Sequence, residues 1–219
     1  MIVNATCAPG IALSTSGSNA SPAYPFFPQG ESTADAPLTN PVADYVARTP
    51  SGELLREQRI TFRPHSKQFL LITGSLERGG DPDHLPGVGI APPLAPSFLK
   101  TELQGSGHGT DANLQFHVIP CEGVVKDPCH YRIVNGIPGK TLVVRKPAEG
   151  MQSAKELAYL TPGNSVLLTG QPPQATYEIE IGGTVTRLEI LQEGAVADCL
   201  IPFYLRDGKP AYSTVFESP

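Results

Sequence analysis

Apolar and polar positions alternate with period two through the second half of the chain, which is the pattern of half-buried strands. Tyr177-Glu-Ile-Glu-Ile181 and Thr184-Val-Thr-Arg-Leu-Glu-Ile190 flank Gly182-Gly183. A two-glycine loop suits a primed hairpin turn, because glycine accepts positive φ at both positions. That turn sets a register: Ile181 opposite Thr184, Ile179 opposite Thr186 and Tyr177 opposite Leu188 on one apolar face, with Glu178 opposite Arg187 on the other. A slip of one residue would destroy both patterns. Leu114–Ile119, Tyr131–Val134, Thr141–Arg145 and Ser165–Thr169 read as further short strands, as do Arg59–Arg63 and Gln68–Thr73. Ile201–Leu205 and Ala211–Phe216, around Asp207-Gly208, predict a second hairpin whose later strand is an edge, since Pro210 cannot donate to a ladder. One helix is predicted over 151–160. Met151, Ala154, Leu157, Ala158 and Leu160 fall at helical spacing there, the composition favours helix, and Pro162-Gly163 stops it.

The N-terminal residues break this rhythm. No charge precedes Glu31, and up to Pro50 only Glu31, Asp35, Asp44 and Arg48 are charged. Prolines punctuate the segment, which argues against a helix or a central strand. Residues 1–50 are therefore expected to form an extended arm that adds little to the fold of the body and docks on a partner through Tyr24, Phe26 and Phe27, the aromatic type that dominates interfaces. Wrapping on its own domain is the competing reading of the same arm. Residues 51–219 are expected to form the β-rich domain, with a long loop over 79–98 that holds nine Gly or Pro. The predicted class is all-β, mainly antiparallel: a sandwich or barrel of short strands.

Composition narrows the partners. Of 219 residues, 17% are charged and 40% hydrophobic, with 22 Gly, 23 Pro and no Trp, so neutral polar and backbone groups must cover much of the surface. The net charge of −5, without a basic cluster, excludes a nucleic-acid partner, whose phosphates demand concentrated Lys and Arg. No apolar run approaches the ~18 residues of a membrane-spanning helix. Met1-Ile-Val-Asn-Ala-Thr6 lacks the charged and apolar regions of a secretory signal. Asn4-Ala-Thr6 and Asn19-Ala-Ser21 match the glycosylation triplet and are read as accidental.

Candidate chemistry is sparse. Gly139-Lys140-Thr141 imitates the end of a phosphate loop, but Val134 stands where the pattern wants glycine, and a strand follows instead of a helix. Gly105-Ser-Gly107-His-Gly109 and Gly163-Asn-Ser165-Val-Leu167 fit no nucleophile elbow. The densest polar cluster is His108, Asp111, His117, Cys121, Cys129 and His130. These are ligand types for zinc or iron, with His108, Asp111 and His117 the metal candidates, but the spacing is loose and structural histidines are the expected reading. Cys121 and Cys129 could close a short disulfide loop in an oxidising compartment; four reduced, mostly buried thiols are expected otherwise. Glu178 and Glu180 share the outward face of the hairpin and make no glycosidase pair. No cofactor is called for.

Three classes of function remain, in descending order. The first is a non-enzymatic structural or assembly protein: a coat-associated (decoration, cement or adaptor) subunit of a viral or similar particle, oligomeric, with protein subunits as partners. The second is a secreted or surface β-sandwich that binds a carbohydrate or protein ligand. The third is a β-barrel metalloenzyme built on the His/Asp cluster. The analogy behind the first is compositional.

Overall fold

The computed structural model describes residues 1–16, 24–33, 42–64, 66–78, 112–121, 129–148, 153–191 and 198–216. The loop expected over 79–98 lies outside them. Strands β1 (Ile2–Thr6), β2 (Gly10–Ser16), β3 (Tyr24–Pro28), β4 (Val42–Arg48), β5 (Leu54–Thr61), β6 (Gln68–Arg78) and β7 (Ala112–Pro120) form two sheets, in the orders β1-β6-β7 and β3-β2-β4-β5. The later strands are β8 (Cys129–Asn135), β9 (Leu142–Lys146), β10 (Lys155–Leu160), β11 (Ser165–Gln171), β12 (Gln174–Ile181), β13 (Thr184–Leu191), β14 (Asp198–Arg206), β15 (Lys209–Tyr212) and β16 (Val215–Phe216). They form the orders β11-β8-β14-β15, with β16 also on β14, and β10-β9-β12-β13. Among the described residues no sheet mixes the two halves. The protein is all-β and mainly antiparallel; of the described strands, only β1 with β6 and β8 with β14 pair in parallel.

Three apolar clusters fix how the sheets stack. Ile11, Leu13, Phe27, Tyr45 and Ile60 of the β3-β2-β4-β5 sheet meet Ile2, Leu70, Ile72, Leu114 and Phe116 of the β1-β6-β7 sheet. Tyr131, Ile133, Ile201 and Phe203 of the β8 sheet meet Leu142, Val144, Tyr177, Ile179 and Leu188 of the β9 sheet. Between these two sandwiches, Val3, Ala5, Phe69, Leu71 and Ile119 pack on Val134, Leu200, Tyr204 and Val215. The β1 and β8 sheets are therefore inner layers covered on both faces, and the β2 and β9 sheets are outer layers. An inner strand has no solvent side, which is why β1 is buried at every position and β14 at its first seven.

The two halves repeat one topology. Strand β8 corresponds to β1, β9 to β2, β10 to β3, β12 to β4, β13 to β5, β14 to β6 and β15 to β7. Even β11 has a counterpart, because Ser32 bridges antiparallel to Val3 as Ser165 does to Val134. The correspondence reaches single atoms at Ile2-Val3-Asn4 and Ile133-Val134-Asn135. Asn4 Nδ2 donates to the Phe27 carbonyl at 2.7 Å, and Asn135 Nδ2 to the Leu160 carbonyl at 2.9 Å. Each Oδ1 accepts the backbone N–H two residues on, from Thr6 at 3.1 Å and from Ile137 at 3.0 Å. Each main-chain carbonyl accepts from a turn glycine at 2.7 Å, Gly30 and Gly163 respectively. Those glycines hold φ of 80° and 79°, a left-handed conformation that a side chain resists. Each asparagine thus staples the first strand of its sandwich to the end of the third and to the turn beyond it.

Two expectations need correction. Residues 1–50 are not an arm: β1 to β4 lie within them, Val3, Ala5, Ile11 and Leu13 are core, and β4 pairs with β5 across the turn at 49–53. Along the described strands the missing charge marks burial, not an extended excursion, and of the described prolines there Pro9 and Pro50 flank strands while Pro25 and Pro28 lie on the edge strand β3. The helix over 151–160 is also absent. Residues 155–160 form β10, and a bulge between Glu156 and Ala158 breaks its alternation. Leu157, Ala158 and Leu160 consequently all pack towards the core, imitating helical spacing, and pairing with β9 outweighs helix propensity. Both hairpins form as the pattern predicts, the first in the register read from the sequence.

Truncation to Asn135→Ala removes the partners of three buried backbone groups and should cost about 2–4 kcal/mol, with a similar loss for Asn4→Ala, whereas Glu178→Ala on the outer face should cost under ~1 kcal/mol. Denaturant midpoints check this. Deleting residues 1–50 opens two of the three clusters, so no cooperatively folded N-terminal sandwich should remain by circular dichroism and calorimetry.

Candidate functional site

Tyr24, Phe26 and Phe27 all fall on β3, the edge strand of the outer N-terminal sheet, and the pleat separates them. Phe27 is buried in the sandwich core, and the Tyr24 ring leans on it with centroids 5.6 Å apart. A register shift between the Ile11–Phe27 and Leu13–Tyr24 pairs brings Tyr24 to the Phe27 side, while Phe26 points the other way and is 53% exposed. Its ring lies across Gly10 of the neighbouring strand, where a Cβ would collide with it. Beside it, the outward positions of β2 are Gly10, Ala12 and Ser14, and no charged residue occurs in β2 or β3. The result is a neutral, small-residue strip along β2 and β3 with one half-exposed aromatic lying on it. Charge begins on the next strand, where exposed Arg48 stands directly opposite Ala12, and continues at Glu57 and the Asp44–Arg59 pair. Of the three residues singled out in the sequence, one is therefore available to a partner.

The opposite end of the stack repeats the feature. Tyr159 occupies in β10 the position that Phe26 occupies in β3, one residue before the carbonyl that takes the asparagine staple, and is 63% exposed. Sequence reasoning passed over Tyr159 because it lay in a segment assigned to helix. The repeated Ile-Val-Asn triplet was the available signal, since it aligns the two halves.

The polar candidates separate in space. His108 and Asp111 lie outside the described residues. His117, on β7, faces the layer between the sandwiches, with its Nε2 2.9 Å from Thr73 Oγ1. It sits against the Gly163 turn of the other half, and desolvation there lowers its pKa below the usual histidine value. Beside it, Thr73, Gly74, Gln115, Gly136, Pro138, Pro162 and Gly163 line a small, half-open pocket of about 30 Å³. Among the described residues, no three His, Cys, Asp or Glu side chains gather closely enough to hold a metal ion.

Cys121 and Cys129 are not joined. Cys129 faces the C-terminal core beside Cys199, while Cys121 packs on the cluster between the sandwiches, so the β8 sheet stands between them. Burial pushes the Cys199 thiol up to about 12, which keeps it protonated and unreactive. Tyr177 is likewise pushed up to about 12 by burial, and its hydroxyl donates to Gln171 Oε1 at 2.7 Å. These buried groups serve packing.

A proton on His117 would place a charge in the layer between the sandwiches. The unfolded chain binds that proton as the pH drops through about 6.5 while the folded state still resists it, so stability falls with pH from that point until the folded state titrates too. The decline in denaturant midpoint between about pH 7.5 and about pH 5.5 should be smaller in His117→Gln than in the parent. No protein-family model, curated protein or solved structure matches the chain.

Proposed function

We propose that the protein is a non-enzymatic assembly subunit, in the class of decoration, cement or adaptor components of a viral or similar particle, and that it docks through the outer face of β2 and β3. The observation that carries this reading is the distribution of charge. Among the described residues, β2 and β3 form an uncharged outward surface on a chain that elsewhere keeps charged residues on its outer strands, and Phe26 lies on it half-exposed. A neutral flat face bearing an aromatic ring loses little on desolvation and offers apolar contact to a partner. Among the described residues, the interior is filled by three packed clusters, which leaves the outer faces of the sheets as the broad surfaces open to a partner.

Phe26→Ser should abolish co-sedimentation with the particle while leaving the melting temperature within a degree or two of the parent, because an exposed side chain contributes little to folding. Gradient fractionation of producing cells, read by immunoblot, makes the comparison. A parent chain that sediments only at its own mass overturns the reading. Retention on a glycan array that is lost in Phe26→Ser would instead favour the ligand-binding sandwich.

A further inference from the structure

We propose that the outer face of the β10-β9-β12-β13 sheet is the contact surface for a second copy of this chain. The inference rests on reading the protein as an assembly subunit, but it uses the end of the stack remote from Phe26. The pleat and the pairings set two rows of side chains across this face. One row runs Glu156, Arg145, Glu178, Arg187, each residue directly opposite the next on the neighbouring strand. The adjacent row runs Tyr159, Val143, Glu180, Val185, by the same registers. Tyr159 and Val185 are 63% and 55% exposed, and Arg145 pairs with Glu180 within the chain.

A charge row that alternates in sign along four strands is complementary to its own reverse. Two sheets laid face to face about a two-fold axis parallel to the strands turn each row end for end. Glu156 then faces the partner's Arg187, Arg145 faces the partner's Glu178, and Tyr159 covers the partner's Val185. A two-fold axis along the rows would set like on like, so the alternation selects one arrangement. The contact repeats between copies the face-to-face stacking that already joins the two halves of one chain. The face is small: strands of 5, 6, 8 and 8 residues, rising about 3.3 Å per residue and set about 4.8 Å apart, give roughly 430 Å² per side, about 860 Å² in total, which places the contact among weak, reversible interfaces.

Two charge reversals test the pairing without relying on either variant's folding alone. The parent should have the mass of two chains in sedimentation equilibrium. Arg187→Glu and Glu156→Arg each set like charges against each other twice, and each should fall to the mass of one chain while staying folded, with a melting temperature lower by a few degrees because each also loses an opposite-charge neighbour on its own sheet. Mixing the two variants restores opposite charges at both contacts, and the mixture should regain the mass of two chains as a one-to-one heterodimer. A parent that stays at one chain, single variants that keep the mass of two, or a mixture that stays at one would each overturn the inference. The docking reading is scored separately, since Phe26→Ser leaves this face intact and should keep the mass of two chains while losing the particle.

Discussion

The two inner sheets have no solvent side, and the rest of the molecule follows from that constraint. A layer covered on both faces needs strands that are apolar throughout, so β1 and β14 are continuous buried runs where an outer strand such as β13 alternates. It also needs every buried polar group to be met from within the protein. Asn4 and Asn135 meet that need in the same way, each holding the start of its sandwich to the turn that closes the third strand. The turns they anchor then reach across the layer in both directions. Gly30 packs against Tyr204, Arg206 and Ser213 of the C-terminal half, and Gly163 packs against Gln115 and His117 of the N-terminal half.

This reciprocity makes the chain a covalent pair of equivalent sandwiches joined through their inner sheets. The two contacts have diverged in chemistry. At the Gly30 turn, Gln29 donates to the Leu205 carbonyl, Ser213 donates to the Gly30 carbonyl, and Arg206 donates to the Gln29 carbonyl. At the Gly163 turn, Pro162 stands where Gln29 does, beside the small pocket and the histidine whose proton affinity burial lowers. One contact is a filled hydrogen-bond network, and the other holds a histidine whose charged form is disfavoured.

With the inner faces packed against each other, the outer sheets keep the broad open faces among the described residues, and these differ. The N-terminal outer face is neutral around β2 and β3, suited to a partner that need not match charge. The C-terminal outer face carries a ladder of alternating charge, suited to a partner with a defined register. Phe26 and Tyr159 occupy equivalent places on the two, so the edge strand of each outer sheet carries a half-exposed aromatic at the same position.

The sequence by itself determined the local order. The Gly182-Gly183 turn, the register of its hairpin and the outward Glu178–Arg187 pair are all legible, because a tight turn and a period of two leave one consistent pairing. The all-β class follows from the same rhythm. The sequence also pointed to Tyr24, Phe26 and Phe27, but only the pleat of β3 decided that Phe27 is core and Phe26 is surface. Tertiary structure alone decided that the uncharged N-terminus is buried strand, since low charge reads the same whether a segment is covered by its own protein or by a partner. It also decided that 155–160 is a bulged strand, because a bulge and a helix place apolar residues at similar spacing. The four-layer stack belongs to tertiary structure for the same reason. Periodicity reports how many faces of a strand are dry, and says nothing of which sheet keeps them so.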